Sequence, residues 1–257
     1  MMYYSKRLSR VNEINHCFFS RRGGFSRGLY KSLNCGKGSK DKKSNIIKNL
    51  KLVSKKIGVK VDKLKLMHQT HSNKVIIINK LNKNSKRINS DAMITSMQGY
   101  ALGVVTADCV PIILYDFKNQ VIGCIHAGWK GALSGIVENT IKKFRKLNLN
   151  NRIFASIGPC IGSKSYEVDH KFYKKFLSKS KKNSIYFSKK NKIKRLFNLR
   201  RYVADKLNNL NVKTDHVNHD TVKEKNSFFS YRRSKIYGEN DYGRCISVIC
   251  LTNFSQN

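Results

Sequence analysis

Three side chains of this chain have the chemistry to hold a metal ion, and the sequence places each at the end of a different segment. Cys109 closes Thr106-Ala107-Asp108-Cys109, His126 follows after sixteen intervening residues, in Ile125-His126-Ala127-Gly128-Trp129, and His71 lies upstream in Gln69-Thr70-His71-Ser72. Zinc sites that only brace a fold draw ligands in close pairs such as C-x2-C and fill all four positions. Separated single ligands suit a three-ligand ion whose fourth position takes water or substrate, which brings the pKa of bound water to about 7. His68 stands three residues before His71 and would join it on a helical turn, but the segment runs straight into an apolar stretch and reads as extended or looped, so His71 alone is the expected ligand. Asp108, beside Cys109, is the carboxylate placed to act as general base or to orient a ligand. The alternative reading makes both histidines ordinary hydrogen-bonded residues, Cys109 core packing and Asp108 a turn cap.

Those ligands need strands to hold them. Apolar, β-branched runs at 75–78, 101–105, 110–115, 121–125, 153–157 and 246–251 are too short for helices and predict strands of a shared sheet. Ala132, Leu133, Ile136, Val137, Ile141 and Phe144 recur at helical spacing and predict one helix over 130–147, with weaker helical patterns over 44–57, 171–177 and 199–210. Residues 178–194, dominated by Lys, Asn and Ser, read as a solvated loop remote from function. No repeat or linker divides the 257 residues, so the expected fold class is α/β in the mixed α+β sense: a single domain with a mixed β-sheet packed by helices.

Composition narrows the setting. There is no run of roughly 18 apolar residues and no apolar signal core at the start, which predicts a cytoplasmic protein without a membrane partner. Seven cysteines, an odd number without an export signal, do not predict a disulfide framework. The formal charge of +37, from 52 Lys and Arg against 15 Asp and Glu, would ordinarily suggest a nucleic-acid partner. The excess is spread along the chain and accompanied by Asn, Ile and Ser, the signature of AT-rich codons. No finger, RNA-recognition motif or localised basic helix supports a basic nucleic-acid-binding protein with structural zinc, which stands as the non-enzyme alternative.

The motifs together resemble the laccase-domain, or YfiH-type, family, once called multicopper polyphenol oxidase-like and now regarded as purine nucleoside phosphorylases. The resemblance runs nearly end to end: Phe18-Phe19-Ser20-Arg21-Arg22-Gly23-Gly24-Phe25-Ser26, Ser32-Leu33-Asn34, Gln69-Thr70-His71, Asp91-Ala92, Thr106 to Pro111, His126 to Gly131, Gly158-Pro159-Cys160-Ile161-Gly162, Tyr166-Glu167-Val168, Phe229 to Arg233 and Gly243-Arg244. It implies zinc on His71, Cys109 and His126, with purine nucleosides (adenosine, inosine, guanosine, methylthioadenosine) and inorganic phosphate as substrates, adenosine deamination as a second activity, and a monomer or homodimer. Copper, as Cu(2+), and phenol oxidation form the alternative, although one Cys and two His give no blue-copper signature by themselves and seven histidines are few for a multicopper enzyme. Arg21, Arg232 and Arg244 are the candidate phosphate ligands, since a guanidinium meets an oxyanion with two parallel donors. Gly23-Gly24 would let a backbone approach an anion, Asp108 would shuttle protons, and Cys160, at a Gly-Pro turn, would touch substrate or serve only the turn. Trp129 would pack in the core or stack on a purine. Two positions depart from the family pattern: Ser234 follows the arginine pair where an acid is common, and Leu29-Tyr30-Lys31 lacks a common proline.

Overall fold

Strands apolar at every position need cover on both faces, and the two central strands of this protein are buried along their whole length. The computed structural model describes residues 1–85, 88–147 and 150–252. In chain order it contains β1 (Met2–Tyr3), β2 (Ile14–Phe19), α1 (Lys43–Ile57), β3 (Leu64–Leu66), β4 (Val75–Ile77), β5 (Ala92–Thr95), β6 (Ala101–Thr106), β7 (Val110–Asp116) and β8 (Val121–Ala127). Next come α2 (Trp129–Leu133), α3 (Ile136–Leu147), β9 (Ile153–Ile157), β10 (Glu167–Asp169), α4 (His170–Leu177), β11 (Phe187–Lys189) and β12 (Lys194–Phe197). The remaining elements are α5 (Leu199–Asn209), β13 (Lys213–His216), α6 (Tyr231–Ile236) and β14 (Cys245–Leu251).

The class is mixed α/β, as expected, but the strands divide. A six-stranded sheet runs β13-β9-β7-β8-β5-β4, a five-stranded sheet runs β1-β2-β14-β6-β3, and a small sheet runs β10-β12-β11. The expectation of one shared sheet is therefore corrected: β6 and β14 belong to the five-stranded sheet, because apolar periodicity marks a strand without naming its partner. The two large sheets pack face to face through Phe18, Leu102, Val104 and Ile249 on one side and Ile113, Tyr115, Ile122 and Cys124 on the other. Ile136, Val137, Ile141 and Phe144 of α3 and Val203 and Leu207 of α5 cover the outer face of the six-stranded sheet, and Ile46, Leu50, Val53 and Ile57 of α1 cover that of the five-stranded sheet. The apolar residues of β7 and β8 thus meet apolar side chains whichever way they point.

Two further expectations are corrected. Residues 130–147 are two helices, since Gly135 takes a left-handed φ of +94° and breaks the ladder while apolar spacing continues across the break. Residues 178–194 are not a structureless loop: they hold a 3-10 turn (Lys181–Tyr186) and β11, because Phe187 stacks on Phe197 at 4.6 Å within a cluster that includes Phe172 and Phe176. Lys190 and Lys194 both pair with Glu167, which ties this segment to the site below. Among the described residues no helix is long and apolar enough to cross a membrane.

His16 on β2 is 5% exposed, and its Nε2 accepts the Ser5 backbone N–H at 2.9 Å. Burial lowers its pKa to about 4, with Asp215 opposing. An unfolded chain takes up this proton near pH 6.5 and the folded one only near pH 4, so stability is full above 6.5 and falls by about 3 kcal/mol as pH drops through that window. His16→Gln should flatten this part of the urea-unfolding profile; an unchanged slope would show that the acid sensitivity arises elsewhere.

Candidate metal centre

Register brings two of the expected ligands together. β7 and β8 pair antiparallel with Val110 opposite Ala127 and Pro111 opposite His126, so Cys109, just before β7, falls beside the last residues of β8. β5 pairs with the other edge of β8, Ala92 opposite Ile125, which sets Asp91 next to His126. His71 arrives from the loop that leads into β4, held in a turn with φ of +60°. Gln69 fixes the start of that loop, its side-chain amide donating to the Val105 carbonyl at 2.7 Å and accepting the Val105 N–H at 2.9 Å.

Asp91 is the residue that assembles the site, and its carboxylate is fully buried. Oδ1 accepts from His126 Nδ1 at 2.8 Å and from the His71 N–H at 3.0 Å. Oδ2 accepts from the Ser72 N–H at 2.7 Å and the Ser72 hydroxyl at 2.6 Å, while the Asp91 carbonyl accepts the His126 N–H at 2.7 Å. One carboxylate thus orients one imidazole and pins the turn that carries the other. With Nδ1 turned to Asp91, His126 presents Nε2, the arrangement by which a carboxylate fixes the tautomer of a metal-binding histidine. Burial works against the charged form of Asp91, yet His126 and Ser72 outweigh it and hold the carboxyl well below the usual range.

The ligand atoms of His71, Cys109 and His126 all lie within 4.8 Å of one another. A tetrahedral ion with Zn–S of about 2.3 Å and Zn–N of about 2.0–2.1 Å sets sulfur and nitrogen roughly 3.5 Å apart, and Cys109 Sγ is 3.5 Å from His71 Nε2. The donors therefore fit such an ion. Burial pushes the Cys109 thiol up, but the imidazoles of His126 and His71 overcome it and bring the pKa down to about 6, so a thiolate is available near neutrality. His126 is raised to about 9: burial opposes its charge, and Cys109 and Asp91 prevail. Gly128 makes the close approach possible, since a Cβ there would stand 2.4 Å from His71 Cδ2 and 2.9 Å from Cys109 Sγ.

The cluster separates two cavities, both bordered by His71, Ala107 and Cys109. The larger, about 430 Å³, has Trp129, Tyr166, Phe172, Ile161 and Leu199 in its walls together with Arg232 and Lys194. The smaller, about 250 Å³, is lined by His126, His68, Lys37, Tyr242 and Arg244. His68 thus faces a cavity beside the cluster and is not one of the three clustered ligands.

The other expected residues are dispersed. Asp108 lines the larger cavity, but its oxygens are already engaged: Oδ1 by the Thr221 hydroxyl at 2.6 Å, Oδ2 by the Ser230 hydroxyl at 2.9 Å and the Arg232 N–H at 2.6 Å. Burial raises its pKa against those donors. Arg232 donates to the Glu167 carbonyl at 2.7 Å from the cavity wall, and Arg244 donates to the Tyr242 carbonyl at 3.1 Å from the wall of the other cavity. Arg21 is not brought to the cluster; its guanidinium donates to the carbonyls of Lys31, Lys225 and Leu29 and lies over Phe229. Cys160 is fully buried, its sulfur accepting Arg200 Nε–H at 3.3 Å, and it lines neither cavity. Gly24 is approached by its own chain, at Ser32 O and Leu33 Cα. Trp129 packs on Phe172 at 4.9 Å, as one of its two expected roles has it, and lines the larger cavity. Ser234, which lacks the common acid, is buried and donates to the Tyr231 carbonyl, while its neighbour Arg233 donates to the carbonyls of Thr221, Val222 and Phe228.

Asp91→Asn keeps the shape but turns an amide toward N–H groups that need an acceptor. It should weaken zinc binding by about 10–100-fold in chelator competition, and unchanged affinity would contradict the role given to Asp91. Gly128→Ala should likewise lose the metal while the two-sheet core still unfolds cooperatively.

The chain is similar to known proteins along most of its length. The family described as multi-copper polyphenol oxidoreductase laccase matches residues 15–252. A Haemophilus influenzae protein named purine nucleoside phosphorylase is 34% identical over 238 residues, covering 91% of this chain and 93% of that one. The Shigella flexneri protein named purine nucleoside phosphorylase YfiH is 30% identical, covering 86% and 89%. Among solved structures, a Neisseria meningitidis protein superposes with a TM-score of 0.84 at 27% identity over 94% of this chain and 96% of that one. Bacillus licheniformis YfiH superposes with a TM-score of 0.89 at 24% identity over 98% and 96%, which speaks to the fold alone. From the cluster outward to the sheet order that holds it, the chain belongs to the laccase-like, YfiH-type family.

Proposed function

We propose that this chain is a zinc-dependent purine nucleoside phosphorylase acting on adenosine, inosine, guanosine and methylthioadenosine, with adenosine deamination as a side activity. The observation that carries the reading is the three-ligand cluster standing between an aromatic-walled cavity and a cationic one. The relatives that bear the name purine nucleoside phosphorylase support it.

In phosphorolysis a phosphate oxygen replaces the base at ribose C1′, and the purine leaves with the bonding electrons. The aromatic cavity, with Trp129, Tyr166 and Phe172, suits the flat apolar base. Arg244 and Lys37, in the smaller cavity, suit the phosphate; Arg244 lies over Tyr242, and one N–H of its fork is used on the Tyr242 carbonyl. Arg232 closes the opposite wall. Asp108 acts as a positioning residue in this scheme, because it holds the Arg232 backbone at 2.6 Å and caps α6 through Ser230. A zinc ion on His71, Cys109 and His126 would supply Lewis-acid polarisation of a substrate or water oxygen. The aromatic wall of Trp129, Tyr166 and Phe172 would shield C1′ from part of the surrounding water, which favours phosphate over hydrolysis.

The family's description keeps copper-dependent phenol oxidation as a second reading, and a thiolate with two imidazoles also suits copper. Against it, the described residues gather one such cluster, enough for a single ion and not for the several of a multicopper oxidase. Metal analysis separates the two readings: zinc near one per chain is expected, and colour formation from phenols in proportion to bound copper would favour the alternative.

With adenosine and phosphate, the wild-type protein should release adenine and ribose 1-phosphate, and Cys109→Ala should lower turnover by about 100-fold or more, equivalent to about 2.7 kcal/mol. Chromatographic product analysis checks this. Product release that ignores phosphate, or a Cys109→Ala variant as active as wild type, would overturn the proposal.

A further inference from the structure

A second concave site lies at the opposite end of the six-stranded sheet. Cys109 and His126 sit where Val110 pairs with Ala127, whereas this cavity opens where Asp116 pairs with Ile153 and Phe154 with Lys213. Seven residues of strand at roughly 3.3 Å each put about 20 Å between the two ends. The cavity measures about 420 Å³, and its lining includes Arg7, Arg145, Arg152, Lys213, Phe117 and Asn211, with no carboxylate.

Its chemistry differs from the general basic surface. The chain has 38 lysines against 14 arginines, yet three of the four cations here are arginines. An AT-rich codon bias would supply lysines, so it does not account for this cluster. Arg7 and Arg152 place their guanidinium carbons 5.6 and 5.9 Å from the centre of the Phe117 ring. Phe117 is steadied by Tyr115 and Phe154, at 5.0 and 6.4 Å, and Arg145 is held by the Leu210 carbonyl. None of the four cations forms an ion pair among the described residues. Two acids stand on the strands that border the cavity, and neither is part of its lining: Asp116 is fully buried and accepts from the N–H groups of Lys118 and Arg152 and the amides of Asn119 and Asn151, and Asp215 accepts the Ser5 hydroxyl at 2.6 Å and the Arg7 backbone N–H at 3.4 Å.

From these residues we infer that the cavity binds a nucleoside phosphate, remote from the metal centre and independently of the reaction proposed there. Arginine forks take the phosphate oxygens in parallel pairs, the half-buried Phe117 offers a face to the base, and the Asn211 carboxamide, with no side-chain partner among the described residues, reaches the ligand's polar edge. The cations converge on one concavity within the range of a small-ligand pocket, which favours a single nucleotide over an extended nucleic acid.

The test is calorimetric titration of the full-length protein with adenosine 5′-monophosphate, inorganic phosphate and a ten-residue RNA, at one fixed salt concentration. Adenosine 5′-monophosphate should bind wild type and Cys109→Ala alike, at least 10-fold tighter than inorganic phosphate. Arg145→Ala/Arg152→Ala should weaken it at least 10-fold while leaving zinc content and thermal unfolding unchanged. Lys55→Ala/Lys56→Ala, which removes the same charge from the last turn of α1, should leave it within 2-fold, and Phe117→Leu should weaken it with phosphate affinity unaltered. The inference is overturned if the lysine pair matters as much as the arginine pair, if Cys109→Ala abolishes binding, if phosphate binds as tightly as the nucleotide, or if the RNA binds more tightly through the same arginines.

Discussion

The Asp91 carboxylate is the constraint on which the metal centre depends. A buried carboxylate is stable only when its oxygens are met by donors, and here the donors are the groups that must be arranged for chemistry: the His126 ring, the His71 N–H and both polar groups of Ser72. Satisfying one acid and building the ligand set are the same event. Truncating such a group would leave several buried donors unmet, each at about 1–3 kcal/mol, so the arrangement is fixed before any ion arrives. The same logic recurs through this strongly basic chain. Asp41, Asp108 and Asp116 are also buried, and each accepts from backbone N–H groups and neighbouring polar side chains.

The layered fold supplies what the carboxylate needs. Because β8 lies between β7 and β5, one strand end meets Cys109 on one side and Asp91 on the other. Close packing on both faces of that sheet resists slippage of β7 and β8, since a shift would force each side chain into a site shaped for another. Glycine at 128 then clears the space in which the sulfur and the imidazole approach. Tyr166, just before β10, Glu167 in β10 and Arg232 in α6 stand in the wall of the larger cavity, so the cavity walls come from segments far apart in the chain.

Much of this was legible in the residues, for physical reasons. Soft ligand types stand out against a background of Lys, Asn and Ile, and continuous apolar runs identify buried strands, which sets Cys109 and His126 at neighbouring strand ends, where the register of β7 and β8 brings them together. Asp91 was visible only as part of a motif, because it precedes a four-residue strand, Ala92–Thr95, too short for periodicity to register. Its signal was rarity: an acid at an apolar boundary in a chain with 15 of them. Sheet membership and the docking of Phe187 depend on long-range packing that no local pattern encodes, whereas the break at Gly135 has a local signal, the glycine, that the continuing apolar spacing masks. The arginines illustrate the same limit. Arg21, Arg232 and Arg244 look equivalent as motif members, yet the fold uses the first on its own carbonyls and leaves the other two facing different cavities.

In the proposed reaction, two cavities meeting at one cluster would bring an apolar base and an anion to the same point, and that requires an ion on the cluster to keep a position open. X-ray absorption at the zinc edge of the zinc-loaded protein tests this directly. The account predicts one sulfur at about 2.3 Å, two imidazole nitrogens at about 2.0–2.1 Å and one further light atom that exchanges when substrate is added. A shell with no sulfur, with two or more sulfurs, or with a fourth protein ligand that substrate does not displace would contradict it.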